Sequence, residues 1–266
     1  MLTNKLPYSN LSSCLNLACR GNVMRYLWIV LVWSLSPFAG ANPEAVQLID
    51  DMEKLYRGDS SRAEITMIVE TPQYKRQMQM TSAAIGEEQS FIRILSPKKD
   101  RGISTLKLDQ EMWNYFPKIN KVIKVPPSMM MGSWMGSDFT NDDLVKQTTL
   151  TEEYDLSLES SETEYVITLI PKEQTVTVWG KIEYVVNREL LIPKAQKFFD
   201  DRGDLIRTLS FTDPKMFGDH TLPSRLEMVP HNKDGHKTVI VYDTLEFDAV
   251  DVTAELFTLR NLRSRF

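Results

Sequence analysis

Residues 113–145 read Trp-Asn-Tyr-Phe-Pro-Lys-Ile-Asn-Lys-Val-Ile-Lys-Val-Pro-Pro-Ser-Met-Met-Met-Gly-Ser-Trp-Met-Gly-Ser-Asp-Phe-Thr-Asn-Asp-Asp-Leu-Val. Four of the chain's 13 methionines, Met129, Met130, Met131 and Met135, gather around Trp134. Gly132, Gly136, Ser128, Ser133 and Ser137 interrupt them. The run is too short and too broken to cross a bilayer, and it follows neither the helical nor the strand period. Methionine is flexible and polarizable, so a cluster of it suits a surface that adapts to apolar ligands of variable shape. Two readings fit. The stretch is a mobile apolar flap over a hydrophobic cavity, or it is a buried core loop in which methionine fills irregular gaps.

On both sides of this stretch the period is two. Upstream, Ala63, Ile65, Met67 and Val69 alternate with polar residues, as do Met78, Met80 and Ser82. Phe91–Leu95, Ile103–Leu108, Glu111–Phe116 and Lys121–Val125 continue the pattern. Downstream come Tyr165–Ile170 and Thr175–Val186. The pairs 194–199 with 205–211 and 226–229 with 237–245 flank the turns Asp200-Asp201-Arg202-Gly203 and Asn232-Lys233-Asp234-Gly235. Turn signals at this spacing predict an antiparallel meander of ten or eleven strands. Helix is scarce. Asn42-Pro43-Glu44 is a helix start, with a capping residue, proline in the first turn and an acid at the positive end. Ala45, Ile49, Met52, Leu55 and Tyr56 share one face, and Gly58 ends it. Thr140–Val145 reads as one capped helical turn, which accounts for Asp142 and Asp143 better than a calcium loop does. The fold class that follows is mainly β (α+β): one strongly curved antiparallel sheet, closed around a cavity or covered by helices.

The N-terminus reads as an address. Arg25 precedes the apolar run Leu27–Leu35, and Ala39-Gly40-Ala41 is a small-x-small cleavage site, so residues 1–41 read as an N-terminal extension and signal peptide starting effectively at Met24. The domain expected is 42–266, in the periplasm. Cys14 and Cys19 fall in the removed part, leaving no disulfide, thiol nucleophile or cysteine metal site. Lys5, Arg20 and Arg25 also leave, so the net charge goes from −5 to −5 − 3 = −8. That argues against nucleic acid, which needs a basic footprint. His220, His231 and His236 lie late in the chain, the latter two around a hairpin turn. There is no nucleophile elbow, zinc-protease helix or phosphate loop, so neither an enzyme, a metal site nor a cofactor is expected. Lys118, Lys121 and Lys124 read as a solvated strand-and-turn face.

The order of these pieces resembles the LolA-like outer-membrane lipoprotein-sorting proteins of the periplasm. The likeness is to a branch with a Trp-x-Tyr-x-Pro strand, here Trp113–Pro117, and a Met-rich loop closing on Gly-Ser-Asp-Phe-Thr-x-x-Asp-Leu, here Gly136–Leu144. The resemblance implies an incomplete β-barrel with a helical lid over a hydrophobic cavity that takes acyl chains of a lipid or lipoprotein. It implies work beside an inner-membrane transporter or outer-membrane receptor, as a monomer. The gate expected is Met129, Met130, Met131, Trp134, Met135 and Phe139, with Leu144 behind it and Trp113, Tyr115 and Phe116 as cavity wall. The alternative function is an accessory protein of an envelope transporter that docks through the Met/Trp loop.

Overall fold

The computed structural model describes residues 42–56, 58–145 and 150–264. The expected signal peptide and its cleavage site lie outside them. Among the described residues thirteen strands make a single antiparallel sheet. In chain order they are β1 (Ser60–Glu70), β2 (Lys75–Ile85), β3 (Gln89–Ser96), β4 (Ser104–Leu108), β5 (Glu111–Phe116), β6 (Lys121–Lys124), β7 (Tyr154–Ser160), β8 (Glu164–Pro171), β9 (Lys181–Asn187), β10 (Pro193–Phe199), β11 (Leu205–Phe217), β12 (His220–Pro230) and β13 (Lys237–Phe247). The spatial order is 6-5-4-3-2-1-13-12-11-10-9-8-7. Two meanders therefore meet where β1 pairs with β13, and β6 and β7 are the two free edges. This is the expected incomplete barrel: a curved sheet that does not close.

The alternation seen in the sequence is the alternation of burial. Ala63, Ile65, Met67 and Val69 of β1 are buried, as are Met78 and Met80 of β2, and together they form one side of the concave core. The helix α1 (Pro43–Lys54) begins where the sequence places it. The Asn42 side chain accepts from the backbone N–H of Glu44 at 2.9 Å and of Ala45 at 3.4 Å. Ala45, Leu48, Ile49 and Met52 are its buried face, packed with residues of β7 to β12. The Asn42 backbone N–H also donates to Leu156 O at 3.1 Å, so the start of α1 lies along the free edge of β7.

Three strand expectations need correction. Thirteen strands form where ten or eleven were expected. The missed β7 alternates Tyr154, Leu156 and Leu158 inward against Asp155, Ser157 and Glu159 outward, and the acids make it look like a solvated loop. β11 and β12 also run through Pro214 and Pro223, which stand opposite each other next to the left-handed Asp213; proline is tolerated at such an irregularity. Conversely, Thr175–Gly180 is not strand. β8 ends at Pro171, and beyond it Lys172 N–H and Thr175 Oγ1 donate to Glu153 O while Val176 is exposed. The valines and tryptophan of this segment have strand propensity, but propensity yields to context.

The convex side of β2 to β6 is covered by the C-terminal segment. A single 3-10 turn at Ala254–Leu256 and the short helix α4 (Leu259–Leu262) bring Val252, Phe257 and Leu262 onto Ala83, Phe91, Leu106 and Tyr115. Arg93 ties the cover down, donating to Asn261 O at 2.8 Å and to Ser104 Oγ at 3.0 Å. Burial holds its guanidinium pKa below the usual arginine value.

Candidate functional site: a cavity roofed by the Met/Trp loop

The segment from Val125 to Glu153 connects the two free edges and crosses the open concave face. It contains a 3-10 turn (Pro127–Met129), a tight loop, and the short helices α2 (Asn141–Val145) and α3 (Leu150–Glu153). The loop is closed by Trp134 N–H to Phe139 O at 2.8 Å and Asn141 N–H to Gly132 O at 3.0 Å. Its tip is a turn from Trp134 to Ser137 with φ +52° at Met135 and +75° at Gly136. Two successive positive φ values define a type I′ turn, which glycine accepts freely and methionine does not. Gly132 is required for another reason: a Cβ there would stand 2.9 Å from Met129 O.

The loop was read either as a mobile flap or as a buried core loop; in the structure it is tied to strands from both meanders. Trp134 Nε1 donates to Thr105 Oγ1 of β4 at 3.1 Å. Arg76 of β2 donates to Met135 O at 3.1 Å and pairs with Asp100 at 2.9 Å. Asp138 exchanges two hydrogen bonds with Thr238 of β13, at 2.9 and 2.7 Å. Asn141 Nδ2 donates to both Met129 O and Gly132 O. α2 carries the expected cap in reciprocal form: Asp143 N–H donates to Thr140 Oγ1 at 3.1 Å, and Thr140 N–H donates to Asp143 Oδ2 at 2.7 Å. Asp143 also receives both Nη groups of Arg207 on β11, at 2.8 and 2.5 Å. That fork lies over the rings of Phe198 at 4.1 Å and Trp179 at 4.5 Å. Asp143 is thus engaged by Arg207 and by the cap, and among the described residues there is no group of three His, Cys, Asp or Glu placed to hold a metal.

Between loop and sheet lies a cavity of about 250 Å³. Its floor comes from β1 to β3 and β9 to β13, and its roof from Met52, Tyr56, Trp134, Phe139, Leu144 and Leu150. The lining is mostly apolar. Lining carboxylates Glu53, Asp142, Asp143 and Glu153 all belong to the helices. Tyr56 stacks on Tyr242 with ring centres 5.2 Å apart and donates to Pro223 O at 3.1 Å. Burial, and secondarily Tyr242, pushes its phenol pKa well above the usual value. Burial raises that of Tyr154 too.

Trp134, Phe139 and Leu144 therefore line the cavity, and Trp134 and Phe139 are only 4% and 8% exposed. The other expected site residues do not. Trp113 and Tyr115 are corrected from cavity wall to the opposite face, under the C-terminal cover. Strand parity decides this, because Met112 and Asn114 take the inner positions. Phe116 has the inner parity but is half-buried outside the lining. Met129 and Met131 point to solvent, 60% and 38% exposed, and Met130 and Met135 are half-buried outside the cavity. The segment named from the sequence borders the cavity, but its inward and outward side chains could not be separated there. Tyr154, Trp179, Phe198 and Arg207 were not singled out as site residues in the sequence, and Tyr56 was read only as part of a helix face. Each sits on an element whose facing depends on long-range pairing.

Solved structures share this architecture. A DUF1329 family protein from Desulfovibrio piger superposes with a TM-score of 0.76 at 20% identity, covering 84% of this chain and 99% of that one. A domain from Vibrio parahaemolyticus described as an outer membrane lipoprotein-sorting protein gives 0.71 at 20% identity, again covering 84% and 99%. A LolA superfamily protein from Nitrosomonas europaea gives 0.66 at 20% identity, covering 82% and 98%. At that identity these likenesses speak for the fold. No curated protein matches the sequence. Residues 86–264, well over half of the chain, match a protein-family model described as "Uncharacterized protein". The chain belongs to that family and shares its fold with these solved structures.

Proposed function

We propose that the protein is a periplasmic carrier that holds an acyl chain of a lipid or lipoprotein beneath the 125–153 segment and passes it toward the outer membrane or a partner transporter. The observation that supports this most is the apolar cavity between the concave face and that segment. Each methylene moved from water into such a space contributes about 0.8 kcal/mol. At about 250 Å³ the space lies just below the roughly 300–1,000 Å³ of ordinary ligand pockets, so Trp134 and Phe139 must shift to admit a full-length chain. No covalent chemistry enters this reading. The leader-like N-terminus supports the periplasmic address. The test is native mass spectrometry of the protein from a periplasmic extract, followed by lipid extraction. The expected result is a co-purifying acyl lipid. An apo mass with no uptake of offered lipids would refute the carrier.

One observation favours a second reading, a transporter accessory protein. The outer side of the lid segment exposes Met129 and Met131, with Ile119 and Ile123 exposed on and beside β6. Trp134 cannot be part of such a docking face, since its ring is buried.

A further inference from the structure

We propose that Gln196 is a polar anchor in the cavity wall that binds the carbonyl of an acyl linkage, so that the cargo is an alkyl chain carrying an acyl amide or acyl ester. This rests on the carrier reading above and names the chemical group by which the cargo is held. Gln196 stands opposite Tyr184 of β9 and Leu209 of β11, and Leu209 stands opposite Met228 of β12. Directly opposed residues share a face of the sheet. These four side chains therefore make one row across four strands, and all four line the cavity. Phe198, two positions along β10, lies on the same face and lines the cavity too. It stands opposite Arg207, whose guanidinium lies over its ring and holds the lid. At about 3.3 Å of rise per residue, the row of Gln196 is about 7 Å from the row that carries the lid's anchor.

Inner positions of a half-buried strand ordinarily take apolar side chains, as Tyr184, Leu209, Met228 and Phe198 do here. Gln196 departs from that rule. It is only 6% exposed, and its side-chain amide makes no hydrogen bond among the described residues. Buried polar groups are ordinarily paired, and one left unpaired is destabilising. Leucine in this place would remove that cost, so the amide calls for an explanation outside the packing of the sheet. A ligand that pairs with it supplies one. The carboxamide is uncharged and offers both a donor and an acceptor. It matches a neutral polar group that can itself be withdrawn from water. An acyl linkage is such a group. Its carbonyl oxygen accepts from Gln196 Nε2, and in an amide linkage the N–H adds a donor that Oε1 can accept from. The alkyl chain then lies against the apolar side chains of the same wall. No bond forms or breaks.

The test is titration of the full chain with three probes of similar length: N-methyldodecanamide, methyl dodecanoate and tridecane. Binding is read by the fluorescence of Trp134 and Trp179, which line the cavity. The quantity compared is the change in Kd from wild type to variant for each probe, so that differences in probe solubility cancel. Gln196→Leu is expected to weaken N-methyldodecanamide by about 5- to 10-fold, as for loss of one neutral hydrogen bond. Tridecane is expected to bind the variant as well as the wild type or more tightly, and the unfolding midpoint to stay or rise. Methyl dodecanoate weakened alongside the amide assigns the anchor to the carbonyl of either linkage, and methyl dodecanoate unchanged assigns it to acyl amides. Gln196→Met, which keeps the length of the side chain, provides the same test if Gln196→Leu does not fold. Equal weakening of all three probes, or no weakening of either carbonyl probe, overturns the anchor and leaves the carrier standing. Failure of all three probes to bind overturns both.

Discussion

The pair between Arg207 and Asp143 is the tie whose removal tests how the lid is held. Its side chains are 5% and 19% exposed, and the guanidinium donates through both Nη groups to both carboxylate oxygens. Removing one member of a buried pair costs about 3–5 kcal/mol, because the other charge stays buried without its partner. Here the lower end applies to Arg207→Met. Water reaches Asp143, which keeps the Thr140 N–H, and methionine retains part of the contact with Phe198 and Trp179. The expected loss is about 3 kcal/mol. At about 2–4 °C per kcal/mol for a domain of this size, the melting temperature falls by about 6–12 °C. Urea unfolding at constant m-value measures it. The companion variant Asp143→Leu and the double variant complete a thermodynamic cycle. The double variant should be less destabilised than the sum of the singles by about 2 kcal/mol. Additivity within about 0.5 kcal/mol, or a single-variant loss below about 1 kcal/mol, would refute the claim that this pair holds the lid.

Further predictions follow from other parts of the molecule. Trp134→Ala should cost about 3–5 kcal/mol, as for a buried aromatic; a loss below about 1 kcal/mol in urea would mean that the loop does not fill the core. Gly132→Ala should cost about 1–3 kcal/mol, since its Cβ meets Met129 O at 2.9 Å, and an unchanged melting temperature would contradict that close approach. Leu262→Ala, at a fully buried side chain of the C-terminal cover, should cost about 2–4 kcal/mol; an unaltered unfolding midpoint would show that the cover is dispensable. Tyr56 has a phenol pKa raised by burial, so its contribution is complete below the unfolded value near 10 and is lost as pH rises beyond it. Stability should fall by up to about 1.4 kcal/mol per pH unit above pH 10 on its account, and Tyr56→Phe should flatten that slope in thermal melts between pH 9 and 11. An identical slope in both proteins would remove Tyr56 as the cause.

What the sequence by itself determined is local. Period-two burial in β1 and β2, the Asn42 cap, the Thr140–Asp143 cap and the two Gly-containing hairpin turns each depend on residues a few positions apart, and all can be read along the chain. The Gly136–Leu144 motif further marked the segment that crosses the sheet. Tertiary structure alone decided which side chains of that segment matter. Trp134 turns inward because Thr105, 29 positions earlier, accepts its indole N–H, while Met129 and Met131 turn outward. Trp113 and Tyr115 lie on the far face because the register of β5 on β4 puts them there, and one step of register would exchange the faces. Arg207 becomes the anchor of the lid only when β11 and α2, 64 positions apart in the chain, are brought together. The row that sets Gln196 into the cavity wall exists only across four paired strands. Pairing between distant strands is set by how the whole sheet curves and buries its faces. No short window of sequence contains that information.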